Sequence, residues 1–352
     1  MEIFNYYLIS GFIENKYKIF LFSNCESNWN TEYLSLINLK ERQSLNNVIS
    51  VIYDILINLF KLRKEIDVIH VPYASNSPII YPVLIIYLFF GIPYNITIHG
   101  GGLKSWKPKF VHKYFFKKAE CIIAVSKPVK YEYKKRIDKS ICVIPPLIPF
   151  TKSSFKKNEL RKRYQIDTMS KILISIGSIK NIKRCDILLN AFLAFEKEYI
   201  KKNKLLLIFV GEGPQKENLL RKVIENGFSK YVIFFGELPY SQIKDIYELA
   251  DIYVISSIFE SKSISLLEAM FNGLTIIGAN VSDINNTITD GKTGLLFEVE
   301  NSKDLKDKMI QVIENDLYAK KLGLNAEKNF YDNFSFDKVL STYLNVFKKT
   351  SR

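Results

Sequence analysis

Short runs of consecutive apolar residues, each stopping on a Gly, Ser or His, constrain this chain most. Lys-Ile-Leu-Ile-Ser-Ile (171–176) stops at Gly177, Leu-Leu-Leu-Ile-Phe-Val (205–210) at Gly211, and Val-Ile-Phe-Phe (232–235) at Gly236. In the first half, Asn-Ile-Thr-Ile (95–98) stops at His99 and Cys-Ile-Ile-Ala-Val (121–125) at Ser126. Such runs suit buried parallel strands. Between them lie segments with apolar residues at helical spacing, among them 48–61, 185–199 and 240–249. Strands alternating with helices predict an α/β chain with parallel sheets. Open sheets of this kind bind ligands beyond the carboxyl ends of their strands, where these Gly, Ser and His residues fall.

The stretch 257–277 is the most informative unit. It reads as a loop after strand 251–255, a helix starting near Ser263 or Ser265, a stop at Gly273 and a further strand at 274–277. Glu260 sits in the loop and Glu268 about one turn into the helix. The free amides of the helix start, here those of Ser263 and Ile264, favour a bound phosphate. A carboxylate on either side suits a ligand with phosphate in the middle and hydroxyl groups at both ends, as in a nucleotide sugar. A plainer reading also fits: Ser265-Leu266-Leu267-Glu268 is a capping box, and Glu260 a solvated loop residue.

The whole pattern, E-x7-E followed by Ala-Met-x-x-Gly, resembles the nucleotide-sugar motif of retaining glycosyltransferases of family 4. That resemblance implies the GT-B fold: α/β, two Rossmann-like domains facing a cleft. It implies that Glu260 contacts donor-sugar hydroxyls and Glu268 the ribose. Gly177 and the segment 178–186 resemble the family's diphosphate-holding G-R-L-x-x-x-K-G-x-D, with Lys183 and Asp186 matching and Ser178 in place of the Arg. An Arg and a Ser are not equivalent toward phosphate, and Lys180 or Arg184 are the candidates to compensate. The turns at Gly211 and at Gly236–Leu238 match those that border the nucleotide and its base. Ser261-Lys262-Ser263 replaces the Gly-Phe-Gly common after the first Glu. In the first half, His99 and Gly100 of Ile-Thr-Ile-His-Gly-Gly-Gly match the histidine loop on the acceptor side, and Ser126 the family's strand-ending serine. Lys183, Glu260 and His99 are thus the expected catalytic residues. No metal and no cofactor are expected, the nucleotide-diphosphate sugar being a substrate.

The chain opens with a helical segment, 2–15, where the family has a strand and a Gly-rich loop. Either the true start lies upstream or this copy lacks that first strand. A missing central strand would leave neighbouring edges unpaired. The expected division is an acceptor-side domain at 1–148, a donor domain at 149–334 and a terminal helix, 335–352, returning to the first domain. The length of 352 residues accommodates two such domains.

The net charge is +14, and 104–140 carries twelve Lys or Arg against three acids, mixed with aromatics such as Trp106, Phe110, Phe115, Phe116, Tyr131 and Tyr133. That mixture suits an anionic membrane face, and less well a nucleic acid, while a solvated helix face with core aromatics is the plain alternative. The apolar run 79–90 is too short to span a bilayer and reads as a buried helix. Four scattered cysteines argue for a reducing cytosol. The functional expectation is therefore a retaining enzyme transferring a hexose to a lipid-linked glycan of a surface polysaccharide, peripheral at the cytoplasmic face of the plasma membrane. The alternative is a catalytically impaired remnant that binds a nucleotide or a partner.

Overall fold

The computed structural model describes residues 2–23, 32, 34–38, 46–73, 78–100 and 110–351. It divides into two compact units, Met1–Pro149 with Phe336–Arg352, and Phe150–Ser335.

The first unit contains α1 (Glu2–Glu14), β1 (Ile19–Ser23), β2 (Leu34–Asn38), α2 (Asn46–Leu62), β3 (Ile69–Tyr73) and α3 (Ile80–Phe90). It continues through β4 (Tyr94–Ile98), α4 (Phe110–Lys118), β5 (Cys121–Ala124), α5 (Lys127–Lys134) and β6 (Cys142–Val143). All its pairings are parallel, in two separate sheets: β1-β2 and β3-β4-β5-β6. Among the described residues, β1 pairs only with β2 and β3 only with β4. The aromatic core is built by Tyr73, Tyr94, Phe115, Phe116 and Tyr133. Three of these, Phe115, Phe116 and Tyr133, come from the basic segment, whose Phe110 and Tyr131 are instead exposed. The first part of that segment, 104–109, lies outside the described residues, as do Gly101 and Gly102.

The run 79–90 is a helix but not a buried one. Its Ile80, Val83 and Ile86 face inward, while Tyr81, Leu88 and Phe89 are exposed. Eleven residues without a charge leave the outer face of α3 apolar as well as the inner one.

The second unit runs α6 (Lys157–Arg163), β7 (Lys171–Ile176), α7 (Cys185–Leu193), α8 (Lys197–Lys202), β8 (Leu205–Val210), α9 (Lys216–Glu225), β9 (Val232–Gly236) and α10 (Tyr240–Leu249). Then come β10 (Ile252–Ile255), α11 (Ile264–Phe271), β11 (Thr275–Ala279), α12 (Ile284–Thr287), β12 (Leu295–Phe297), α13 (Ser302–Glu314) and α14 (Asp316–Asn333). The single helix expected over 185–199 is two, because the chain leaves helical geometry at Ala194–Glu196. All six residues of β8 are buried, as parallel strands covered on both faces require. The last helix, α15 (Phe336–Thr350), belongs to the first unit, where Val339, Leu340, Tyr343 and Phe347 pack with Leu8 and Phe12 of α1.

The second unit's six parallel strands lie in the order β12-β11-β10-β7-β8-β9. From β7 the chain steps outward to β8 and β9, then returns to β10 on the other side and steps outward again. The order reverses between β7 and β10. In a doubly wound sheet such a reversal opens the crevice in which a ligand binds.

Candidate active site

The residues singled out in the second half converge on that reversal. After β7 the chain passes Gly177 and Ser178 into a short 3-10 turn, Asn181–Lys183. After β10 it passes Ser256 and Ser257 into the loop that carries Glu260. The two loops are stitched together. The Ile258 amide donates to the Ile182 carbonyl at 3.0 Å, and Ser256 Oγ donates to the Lys183 carbonyl at 2.8 Å. Lys183 Nζ reaches Glu260 Oε1 at 2.6 Å, and Ser257 Oγ donates to the same oxygen at 2.7 Å. Gly177, Ser178, Lys183 and Glu260 line one pocket. Glu260 is nearly buried, so an anion is held in low dielectric by one cation and one hydroxyl.

The neighbouring strand ends are drawn in tightly. The Gly177 amide donates to Val210, and the Gly211 amide to Gly236 at 2.7 Å. The Ile179 amide donates to Glu212. A Cβ on Gly211 would collide with the Gly177 carbonyl, and one on Gly213 with the Ile179 carbonyl. The Gly-x-Gly after β8 is therefore required by the close passage of the β7 loop. Leu238, further along, is half-buried against the core.

Ser263, not Ser265, caps α11: its Oγ accepts from the Leu266 amide. Ser265 Oγ instead accepts from the Tyr253 hydroxyl at 2.8 Å. Glu268 does not cap the helix either. The Tyr247 hydroxyl lies 3.0 Å both from Glu268 Oε2 and from the Ser265 carbonyl. Burial pushes the Glu268 carboxyl up to about 7, a rise its bonds from Tyr247 and Tyr240 offset only in part. The capping-box reading thus fails on geometry, and Glu268 is a buried acid bonded by two tyrosines, Tyr247 and Tyr240, while Tyr253 holds Ser265 of the same helix. Tyr240 and Tyr247 share one face of α10, seven residues apart, but nothing along the chain says that this face, or Tyr253 of β10, meets α11; the fold brings them there.

Two further departures resolve. Arg184 does not make up for Ser178. Its guanidinium forks onto Asp186, with both bonds at 3.0 Å, and also pairs with Glu300. Lys180 is exposed and precedes the 3-10 turn without a side-chain capping bond. Lys262, where the related motif has Phe, is buried: its Nζ lies 3.1 Å from Asp283 Oδ2 and 2.9 Å from Thr287 Oγ1, over the Phe334 ring. Burial lowers Lys262 and raises Asp283 from their ordinary values, each partly countered by the other's charge. The loop that carries Glu260 is thereby pinned at one end to the 3-10 turn and at the other to α12.

The remaining predicted residues belong to the first unit. His99 and Gly100 follow β4, and burial holds the His99 imidazole down at about 4, so it is neutral at physiological pH. The Val125 amide donates to the Ile98 carbonyl, bringing the end of β5 beside that of β4. Ser126 is buried, and its Oγ accepts from the Val129 amide at 3.4 Å. It is a helix cap for α5. Among the described residues, no group of three or more His, Cys, Asp or Glu is placed to hold a metal ion.

Comparison with known proteins agrees with this geometry. The model of the glycosyl transferases group 1 matches residues 156–329, and that of Glycosyltransferase Family 4 matches residues 1–152. The chain belongs to the family 4 glycosyltransferases. It is 26% identical over 293 residues to the N-acetyl-alpha-D-glucosaminyl L-malate synthase of Bacillus anthracis, covering 81% of this chain and 75% of that one. It is 27% identical over 210 residues to the alpha-monoglucosyldiacylglycerol synthase of Acholeplasma laidlawii, covering 57% and 52%. The structure of Anabaena HepE in complex with UDP and glucose superposes with a TM-score of 0.74 at 14% identity, over 97% of this chain and 94% of that one. The fold of this family 4 member is accordingly GT-B, with two parallel-sheet Rossmann-like units.

Proposed function

We propose that the chain is a retaining hexosyltransferase that takes its sugar from a nucleotide diphosphate. The Lys183–Glu260 pair at the β7/β10 reversal, beside the α11 N-terminus, is the observation that carries this reading. A diphosphate at the α11 amides shares Lys183, which neutralises charge as the leaving group departs. Glu260 Oε1 is taken by Lys183 and Ser257, so Oε2 is the acceptor left for sugar hydroxyls. Glu268, ionised, accepts from the ribose. The acceptor attacks from the face that the leaving group occupies, and a departing phosphate oxygen takes its proton, so the stereochemistry is retained. Neutral His99 is the acceptor-side group. Lys183 and the helix amides supply the positive charge, so no metal is required.

For the acceptor we favour a lipid-linked glycan of a surface polysaccharide, at the cytoplasmic face of the membrane. Two observations support it. One relative is named for a glucosyl lipid, and the first unit carries twenty-three Lys and Arg against twelve Asp and Glu. No helix among the described residues is long and apolar enough to cross a membrane, so the contact would be peripheral.

The test is a screen of nucleotide hexoses for donor turnover, with anomeric configuration read by NMR. Lys183→Ala and Glu260→Gln should each lower kcat by about 100-fold or more, and His99→Ala should raise the acceptor KM or lower kcat. EDTA should leave the rate unchanged. Nucleotide binding without turnover of any donor would establish the impaired remnant instead.

A further inference from the structure

The first unit exposes apolar side chains on two helices that pack on one another. On α2, Ile49 is 72% exposed, Tyr53 61% and Phe60 49%, with Ile57 half-buried between them. These positions follow each other at i, i+4, i+8 and i+11, one stripe of a helix. On α3, Tyr81, Leu88 at 58% and Phe89 at 77% form a second stripe. The opposite faces of both helices meet through Ile55, Leu59 and Ile86, and the Phe60 and Phe90 rings touch edge to face at 5.5 Å. Scattered surface apolar residues need no explanation, but two neighbouring stripes do.

The charges around the stripes indicate what covers them. Arg63 stacks over Phe60 and Phe90 at 4.2 and 5.5 Å from the ring centroids, with Lys61 and Lys64 exposed beside it. α4, which packs on α3, adds the exposed Phe110, Lys113 and Lys117. The nearby acids are fewer than the bases: Asp54 is half-buried, Glu65 is bound by Lys18 at 2.6 Å, and Asp67 is exposed beyond it. The unit as a whole carries +11 of the +14. A second copy docking here would set like charge against like charge. An anionic bilayer meets both features, burying the aromatic and aliphatic tips while the basic rim rests on its headgroups.

We infer that α2 and α3, with Phe110 and the lysines of α4 beside them, form a membrane-docking face that takes an anionic lipid surface. The inference shares with the proposed function only its membrane setting; it needs no particular donor or acceptor.

Sedimentation with vesicles of phosphatidylcholine, with and without phosphatidylglycerol, tests it on the full chain. The protein should bind the anionic vesicles, and raised salt should weaken binding without abolishing it. Tyr53→Asp with Phe89→Asp should lower affinity by at least about tenfold, since each buried side chain alone accounts for a factor of that order. Leu317→Asp, an equally exposed apolar position in the second unit, should change nothing. Lys61→Glu with Lys64→Glu should weaken binding to anionic vesicles and leave circular dichroism unaltered, which keeps the test valid if the aspartate pair disturbs folding. Unchanged vesicle binding in both double variants overturns the inference. So does a wild-type dimer that Tyr53→Asp with Phe89→Asp converts to monomer while no vesicle is bound. Absent sugar transfer would count against the proposed function alone.

Discussion

A carboxyl held near neutrality gives Glu268 two opposite pH dependences. Folding raises it from 4.5 to about 7, so the native state holds a proton that the unfolded chain releases. The stability this contributes is complete below pH 4.5 and lost as pH rises through 7, on the order of 3 kcal/mol over that window. The proposed bond from Glu268 to the ribose uses the ionised form, so nucleotide affinity should fall as pH drops below 7, by up to about tenfold per unit. Glu268→Gln should therefore be more stable than wild type at pH 8 and equal to it at pH 4. It should bind UDP weakly and without pH dependence. Urea melts and UDP titrations across this range would show it; parallel wild-type and variant profiles would refute the assignment. The same logic gives Lys183 a structural part beside its proposed catalytic one. Lys183→Met leaves Glu260 buried with only Ser257, at a cost of roughly 1–3 kcal/mol, whereas Lys183→Met with Glu260→Gln should recover the stability and not the turnover.

At the scale of elements, the loop that carries Glu260 owes its position to a strut absent from the related motif. Lys262 and Asp283 have side chains only 8% and 3% exposed, so each is tolerable only with the other. Lys262→Met should cost roughly 3–5 kcal/mol by stranding a buried carboxylate, and Lys262→Met with Asp283→Leu should return most of it. If the strut positions the loop, the double variant will still show a raised donor KM with kcat little changed. A double variant with wild-type KM would leave the pair a purely stabilising one. The helix starts, the strand ends and Gly-x-Gly were legible in sequence because each rests on local chemistry: a capping serine, an apolar run, a residue without Cβ. The break in 185–199 was not, since Ala194 to Glu196 carries no Gly or Pro to announce it.

At the scale of the molecule, chain order and compact units differ. The second unit is one continuous segment with its own core, while the first is completed by α15. Val339, Leu340, Tyr343 and Phe347 are all buried there, and Asn95 Nδ2 donates to Thr350 Oγ1 at 2.7 Å. At roughly 1.5–3 kcal/mol per buried side chain, their removal approaches the whole stability of a domain. Deleting 336–352 should therefore unfold the first unit while leaving the second able to bind UDP. Two melting transitions reduced to one, with nucleotide protection retained, is the expected calorimetric result; loss of both units would contradict the division.

The sequence by itself determined the class of fold, the strand ends and the two carboxylates, because apolar periodicity, glycine at crowded turns and the E-x7-E spacing are all written along the chain. Only the tertiary structure decided the rest. Whether Arg184 could stand in for a missing phosphate ligand, which tyrosines bond to the buried Glu268, and which aromatics are core or surface depend on neighbours far away in sequence. Above all, the site lies where β7 and β10 become adjacent, and that adjacency is a property of strand order, which no linear pattern carries.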